Sequence, residues 1–234
     1  MRFNELKVKA LPYHDTLNPV LWDNDKLKTE IRYKLLLIAK HFAQFLNVKK
    51  LQLRDITISG SNASYGYSEY SDIDLHLVVD INEPDLVELY NAKKNQYNVK
   101  YNITIKDIDV ELYVQDAKQP HHSAGIYSIM NDKWLSVPKH QAPTVSEQEV
   151  RSKARNYAGR INQALKSGDL KIASETMDNI KRLRQAGLDQ YGEFSIENLA
   201  FKLLRSRGMI EKLYKYIDKL QSAELSLPEY QDKS

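Results

Sequence analysis

The segment from Gly60 to Leu75 constrains this chain more than any other, because a glycine–serine turn is followed by two aspartates one residue apart. The apolar run 55–59 leads into the turn as a short strand would, and residues 73–79 leave it with strand-like β-branched content. Since side chains alternate in direction along a strand, Asp72 and Asp74 are expected to point to the same face. The segment therefore predicts two rigid strands with paired carboxylates beside a tight turn.

Paired carboxylates and a glycine–serine turn together indicate a site for metal and phosphate. Two carboxylates side by side repel each other, and a cation between or beside them removes that repulsion. Hard oxygen ligands favour Mg²⁺ or Mn²⁺, and the chain has no cysteine that would indicate a thiolate site. Gly60 allows the backbone to approach a ligand closely, and Ser61 offers an N–H and a hydroxyl to phosphate oxygens. We therefore expect a site for a triphosphate and magnesium.

In this order the residues resemble the signature of the DNA polymerase β-like nucleotidyltransferase superfamily, in which a Gly-Ser turn, a helix and an Asp-x-Asp strand follow one another. The resemblance covers about residues 50–115; it is specific for the superfamily and uninformative within it. It implies that Gly60 and Ser61 hold the donor triphosphate. It further implies that Asp72 and Asp74 bind paired divalent ions, and that a third carboxylate on a later strand completes the site.

The third carboxylate is expected in the run 107–114, which alternates clearly between apolar and polar residues. Glu111 is the favoured ligand because it lies well inside this strand, between two apolar residues. Asp109 is the alternative third ligand, because the superfamily more often has an aspartate here. A glutamate at this position departs from the family pattern.

The mechanism that the resemblance implies is in-line attack of an acceptor hydroxyl on the α-phosphate of a nucleoside triphosphate, with pyrophosphate leaving. Two metal ions would clamp the attacking and leaving oxygens. Glu111 or Asp109 would serve as a metal ligand and as a general base. Catalysis of this kind depends mainly on positioning and charge neutralisation.

The resemblance leaves several functions open. ATP is the favoured donor, and the acceptor is a small molecule, a protein side chain, a second nucleotide or RNA. Pyrophosphate transfer to a nucleotide, with AMP leaving, is a second enzymatic hypothesis. A non-catalytic nucleotide-binding module is the third. Intact Asp72 and Asp74 count against this last hypothesis.

Composition narrows the class of protein. The 234 residues include 42% hydrophobic residues, which suffices for a core, and the net charge of +3 is too small to indicate nucleic-acid binding by itself. No segment approaches the ~20 apolar residues of a membrane span, and the N-terminus lacks the apolar centre of a signal peptide. We expect a cytoplasmic protein with no membrane partner.

The first part of the chain mixes helical and strand patterns. Residues 1–24 are expected to form an irregular arm anchored by Trp22, and His121-His122 a surface loop rather than a zinc site. The remaining predicted elements are an amphipathic helix over 26–46, a strand over 51–58, a helix over 84–95 that begins at Pro84, and a hairpin of 99–105 with 108–115.

The second part of the chain has only helical patterns. Pro138 and Pro143 mark a boundary, and Ser146 to Glu149 form a predicted capping box at the start of four short amphipathic helices. We therefore predict an α+β fold, a mixed-sheet nucleotidyltransferase core with flanking helices followed by an α-helical bundle. The predicted limits are 1–140 for the core with its arm, 145–226 for the helical domain and 227–234 for a disordered tail.

Overall fold

The computed structural model of the protein describes residues 13–48, 51–83, 85–119, 123–140 and 144–227. The described residues form two compact units, 13–140 and 144–227. The first combines helices with a mixed sheet and the second is helical, which confirms the predicted fold class. Four predictions lie wholly or partly outside the described residues: residues 1–12 of the predicted arm, the helix start at Pro84, the loop at His121-His122, and all but residue 227 of the tail predicted over 227–234.

The first unit opens with a short hairpin and a long helix. Strand β1 (Trp22–Asp23) pairs antiparallel with β2 (Lys26–Leu27), and helix α1 spans Thr29–Leu46. The apolar residues of α1 recur every three or four positions and lie buried along one stripe, as its amphipathic pattern predicts. The helix begins three residues later than predicted, because residues 26–27 pair in the hairpin. It ends at Asn47, whose backbone is left-handed.

A mixed sheet organises this unit. Its strands are β3 (Leu53–Ser59), β4 (Ile73–Val79), β5 (Thr104–Ile105), β6 (Ile108–Asp116), β7 (Ile126–Ser128) and β8 (Lys133–Ser136). They lie in the order β5-β6-β4-β3-β7-β8, in which β4 and β6 run parallel and all other neighbours run antiparallel.

The two faces of the central strands differ in polarity. On β4, the side chains of Ile73, Leu75 and Leu77 are fully buried in the core, and α1 contributes its apolar stripe to that core. Asp74 and His76 alternate with them and are only half-buried. The polar face of the sheet therefore carries the aspartate of the motif.

Part of the strand prediction between residues 95 and 136 is wrong. Helix α2 spans Asp85–Lys100, so the predicted first strand of the hairpin shrinks to Thr104–Ile105. Val99, at which the predicted strand begins, instead lies exposed in the last turn of α2. Strands β7 and β8 were not predicted, because runs of three and four residues carry too little periodicity to detect.

The second unit consists of amphipathic helices around one apolar core. They are α3 (Glu147–Ser167), α4 (Leu170–Tyr191), α5 (Ile196–Arg205) and α6 (Met209–Leu225). Gly168, with a φ of 70°, ends α3, and the Asp169 side chain caps α4 by accepting a hydrogen bond from the Ile172 amide. Within the described ranges, no helix is both long enough and apolar enough to cross a membrane.

The predicted capping box forms at the start of α3. The Glu149 amide donates to the Ser146 hydroxyl, and the Ser146 amide donates to the Glu149 carboxylate at 2.8 Å. The hydrogen bonds from the amide and then the hydroxyl of Ser146 lower the pKa of Glu149. The charged form of Glu149 is thus the one that the cap stabilises.

Candidate active site

The glycine–serine turn lies at the end of β3, against the strand that carries Asp74. Gly60 has φ 72° and ψ −161°, a conformation that is essentially restricted to glycine. A β-carbon at this position would lie 1.7 Å from Oδ2 of Asp74. The sequence predicts that a ligand approaches the Gly60 backbone closely. In the structure, the group that lies closest to this backbone is the Asp74 carboxylate, which packs directly on the turn.

Three carboxylates meet beside this turn. Asp74 of β4 pairs with Ser59 of β3 on one side and with Glu111 of β6 on the other. Asp72 lies just before β4. One carboxylate oxygen each from Asp72, Asp74 and Glu111 lies within 4.8 Å of the others, and all three side chains are half-buried. The parallel register of β4 and β6 thus brings together acids that are far apart along the chain.

The donor set of this acidic cluster suits a hard divalent cation. It offers only carboxylate oxygens, the ligand type that Mg²⁺ and Mn²⁺ prefer. Three ionised carboxylates this close repel one another, and partial burial weakens the screening by water. A bound cation would offset that repulsion, so the residues fit the predicted metal.

The two alternatives for the third carboxylate occupy different environments. Glu111 is half-buried beside Asp74, whereas Asp109 is exposed where β6 pairs with Thr104 of β5. Asp107 lies in the turn between β5 and β6, with a φ of 64°. Among the described residues, Glu111 is the acid of β6 that joins the cluster.

Two hydrogen-bonding groups of the turn already have protein partners. The Gly60 amide donates to the Ser123 hydroxyl at 3.0 Å, and the Ser61 hydroxyl donates to that of Ser71 at 2.9 Å. To bind a phosphate through its hydroxyl, Ser61 would exchange Ser71 for the ligand. A role of Gly60 and Ser61 in holding a triphosphate remains a prediction.

The connection between the turn and β4 differs from the helix that the family resemblance implies. It contains a single 3₁₀ turn, Ser61–Ala63, followed by an irregular loop that runs to Asp72. Hydroxyl groups of this loop bond the backbone: the Ser68 amide donates to the Ser71 hydroxyl and the Gly66 amide to that of Ser64. Such local hydrogen bonds compete with helix formation.

Asn62 is a residue of the site that sequence reasoning missed. Its fully buried amide donates to the carbonyls of Ser71 at 3.1 Å and of Asp72 at 2.9 Å. Its own oxygen accepts from the Asn18 amide at 2.8 Å, and its carbonyl accepts from the Trp22 indole at 2.7 Å. The segment before α1 therefore anchors the motif from outside. No local sequence pattern predicts the contacts of Asn62 with Asn18 and Trp22, which lie 44 and 40 residues away along the chain.

Asn98 of α2 holds the strand that supplies the third carboxylate. Its side-chain nitrogen donates to the Leu112 carbonyl, and its side-chain oxygen accepts from the Leu112 amide, both at 3.1 Å. These two hydrogen bonds provide partners for the amide and carbonyl of Leu112, the residue after Glu111, on the side of β6 away from β4. Helix α2 thus fixes β6, and its buried Tyr90 and Tyr97 belong to the same apolar core as the sheet.

No protein-family model matches this chain, and no curated protein matches it. A STING-associated CdnE c-di-GMP synthase from Capnocytophaga granulosa is similar in structure, with 13% identity, 85% of this chain and 84% of that chain covered, and a TM-score of 0.25. So is the spectinomycin adenyltransferase AAD(9) from Enterococcus faecialis with ATP and spectinomycin, with 11% identity, coverage of 86% and 93%, and a TM-score of 0.25. TM-scores this low do not establish a shared fold, so neither likeness bears on what this chain does.

Proposed function

We propose that the protein is a divalent-metal-dependent nucleotidyltransferase of the DNA polymerase β-like superfamily, which transfers a nucleoside monophosphate from a nucleoside triphosphate, with ATP as the favoured donor, to an acceptor hydroxyl. One observation carries this proposal: the carboxylates of Asp72, Asp74 and Glu111 converge within 4.8 Å on the polar face of the sheet. The Gly60–Ser61 turn packs directly on one of them. Both features occur in the order that the superfamily signature requires.

Asp72, Asp74 and Glu111 would hold the metal, and we propose two ions of Mg²⁺ or Mn²⁺. When bound, such ions neutralise the triphosphate and stabilise charge on the attacking and leaving oxygens. The protein's contribution is to keep three acids close together on two paired strands and a tethered loop. This preorganisation keeps the catalytic groups in place before the reaction, so that they need not be rearranged during it.

The proposed transfer forms one bond and breaks one. The acceptor oxygen bonds to the α-phosphorus, the bond from that phosphorus to the oxygen bridging the β-phosphorus breaks, and pyrophosphate leaves with the electron pair. The hydroxyl proton goes to a carboxylate oxygen of Glu111 or to water. Ser61 would turn its hydroxyl from Ser71 to a phosphate oxygen when the nucleotide binds.

The test is incubation of the purified protein with Mg²⁺ or Mn²⁺ and each nucleoside triphosphate, labelled in turn at the α- and γ-phosphates, with and without cell extract. Transfer of the α-label to an acceptor with release of pyrophosphate supports the proposal. The labelled product then identifies the acceptor as a small molecule, protein, nucleotide or RNA. Release of AMP with the β- and γ-phosphates on a nucleotide would instead assign pyrophosphate transfer.

Variants of the acids provide the controls. The Asp72→Asn/Asp74→Asn double variant is expected to lose turnover completely. Glu111→Gln should lower turnover at least about 100-fold, as expected for loss of a group that acts on the reacting atoms. Asp109→Asn, on an exposed residue of the same strand, should change it less than about threefold. If the protein binds metal and nucleotide and no triphosphate turns over, the protein is a binding module rather than an enzyme.

A further inference from the structure

Ser123 lies beside the glycine–serine turn, although it follows Gly60 by 63 residues along the chain. Its hydroxyl accepts a hydrogen bond of 3.0 Å from the Gly60 amide, and Ser123 is only half-buried. The Asp74 carboxylate packs against Gly60 in the space that a β-carbon would fill. Gly60 therefore contacts a hydroxyl through its amide and a carboxylate of the acidic cluster through its α-carbon.

The backbone around Ser123 is held against the turn. Strand β7 pairs antiparallel with β3, so the residues just before β7 lie beside the end of β3, where Gly60 is. Gly125 packs so closely on the turn that a β-carbon there would lie 2.0 Å from the Ala63 carbonyl oxygen. Sheet pairing and this close contact thus place the Ser123 hydroxyl next to the proposed triphosphate site.

The Ser123 hydroxyl can still donate a hydrogen bond. A serine hydroxyl has one proton to donate and two lone pairs, and the Gly60 amide uses one lone pair. Within the described part of the chain, the structure shows no acceptor for that proton. The Ser61 hydroxyl, by contrast, already donates to that of Ser71 and must give up this bond to bind a phosphate. Ser123 loses no such bond when an anion arrives.

We infer that Ser123 is a phosphate-binding residue whose hydroxyl donates to an oxygen of the donor triphosphate, which rests on the proposed function of the acidic cluster. The Gly60 amide fixes the hydroxyl oxygen, and accepting this bond strengthens the hydroxyl as a donor. A neutral donor suits this place because it binds phosphate oxygens without forming an ion pair with the neighbouring carboxylates. The Gly-Ser and Asp-x-Asp signature does not include Ser123.

The test measures binding by titration calorimetry at saturating Mn²⁺ with two probes. One is ATP in which a methylene group replaces the α,β-bridging oxygen, so that transfer cannot occur, and the other is inorganic tripolyphosphate, which has no nucleoside. Ser123→Ala is expected to weaken binding of both about 10- to 100-fold, as for loss of a hydrogen bond to a charged group. Ser123→Thr keeps a hydroxyl and should restore binding. Affinity for Mn²⁺ alone should not change, because all three carboxylates remain.

Ser128→Ala is the matched control. The Ser128 hydroxyl also accepts a backbone amide at 3.0 Å, that of Asn131, but its own proton already goes to the Asp55 carboxylate at 2.8 Å. Ser128 is fully buried in β7. Its replacement should therefore lower the thermal midpoint of the sheet unit and leave the affinity for both triphosphates unchanged.

Several outcomes would overturn the inference alone. Binding by the wild type that Ser123→Ala leaves intact is one, and tighter binding is another, because the hydroxyl would then merely cover the Gly60 amide. A loss seen with the ATP analogue and not with tripolyphosphate would place Ser123 at the nucleoside instead. A loss that Ser123→Thr does not restore, or that Ser128→Ala shares, would assign Ser123 a structural role. Wild-type protein that binds neither Mn²⁺ nor either triphosphate would overturn the proposed function, and the inference with it.

Discussion

Replacing Gly60 by alanine should displace one carboxylate of the acidic cluster while leaving every acidic residue in the chain. Gly60 adopts φ 72° and ψ −161°, and its missing β-carbon is what allows Asp74 to pack on the turn. Gly192, in the helical unit, has nearly the same backbone, with φ 74° and ψ −161°. A β-carbon on Gly192 would meet nothing within 4 Å. The two glycines therefore form a matched pair that differs in the contact with Asp74.

The expected losses of stability and turnover follow from the backbone angles and contacts of the two glycines. Backbone strain for alanine in this region is about 1–3 kcal/mol and applies to both variants. At Gly60 the Asp74 oxygen must also retreat from 1.7 Å to the 3.4 Å of ordinary contact, a shift of 1.7 Å. The off-rotamer side chain that results adds about 0.5–1.5 kcal/mol. Misplacement of a catalytic group by about 1 Å lowers rates about 100-fold, so Gly60→Ala should lower turnover at least that much.

The assay combines unfolding with Mn²⁺ titration. The two tryptophans of the chain, Trp22 and Trp134, both lie in the sheet unit, so their fluorescence follows the unfolding of that unit. Circular dichroism follows the helical unit, where Gly192→Ala should act. We expect both variants to be destabilised, with loss of Mn²⁺ binding in Gly60→Ala alone. Gly60→Ala protein that binds Mn²⁺ as the wild type does would refute the reasoning, because the Asp74 carboxylate would then bind metal despite a β-carbon at residue 60.

Three further outcomes are expected. Asn62→Ala removes the three side-chain hydrogen bonds of a fully buried residue, two of which hold the backbone around Asp72; it should destabilise the sheet unit by about 2–4 kcal/mol in urea unfolding and weaken Mn²⁺ binding. Asp74→Asn relieves repulsion in the metal-free cluster, so its thermal midpoint in chelator should rise while the midpoint shift on adding Mn²⁺ disappears. Because the amide and hydroxyl of Ser146 lower the pKa of Glu149, the cap stabilises the helical unit above the ordinary carboxyl pKa and fades as the pH falls through the lowered value. Glu149→Gln should accordingly lower the thermal midpoint at pH ~7 and have little effect in acid, and an equal effect at both pH values would contradict this account.

The alternation of apolar and polar residues along single strands is visible in the sequence alone. It placed Asp72 and Asp74 on one face and put Glu111 with Asp109 on one face of a later strand, while helical periodicity and the capping box located the helices. Alternation does not distinguish Glu111 from Asp109 as the third carboxylate, because the two residues lie on the same face of the strand. The choice depends on the parallel register of β4 and β6, which tertiary packing sets.

The contacts that hold the acidic cluster in place were beyond sequence reasoning for a different reason. Asn62 and Ser123 contribute through partners whose proximity arises only in the folded unit. Polar residues of these types are common on surfaces and in loops, where they carry no distinctive pattern. The domain limits 1–140, 145–226 and 227–234 remain a prediction.

The bidentate contact of Asn98 with Leu112 also affects the open edge of β6. Within the described residues, β5 covers only the first part of β6, so the middle of β6 would otherwise present an open row of backbone donors and acceptors. Such a row is a template on which another extended chain can add, the first step toward intermolecular sheets. The asparagine occupies the amide and carbonyl of Leu112 with its own side chain. At this residue, helix α2 therefore takes the place that an added strand would need.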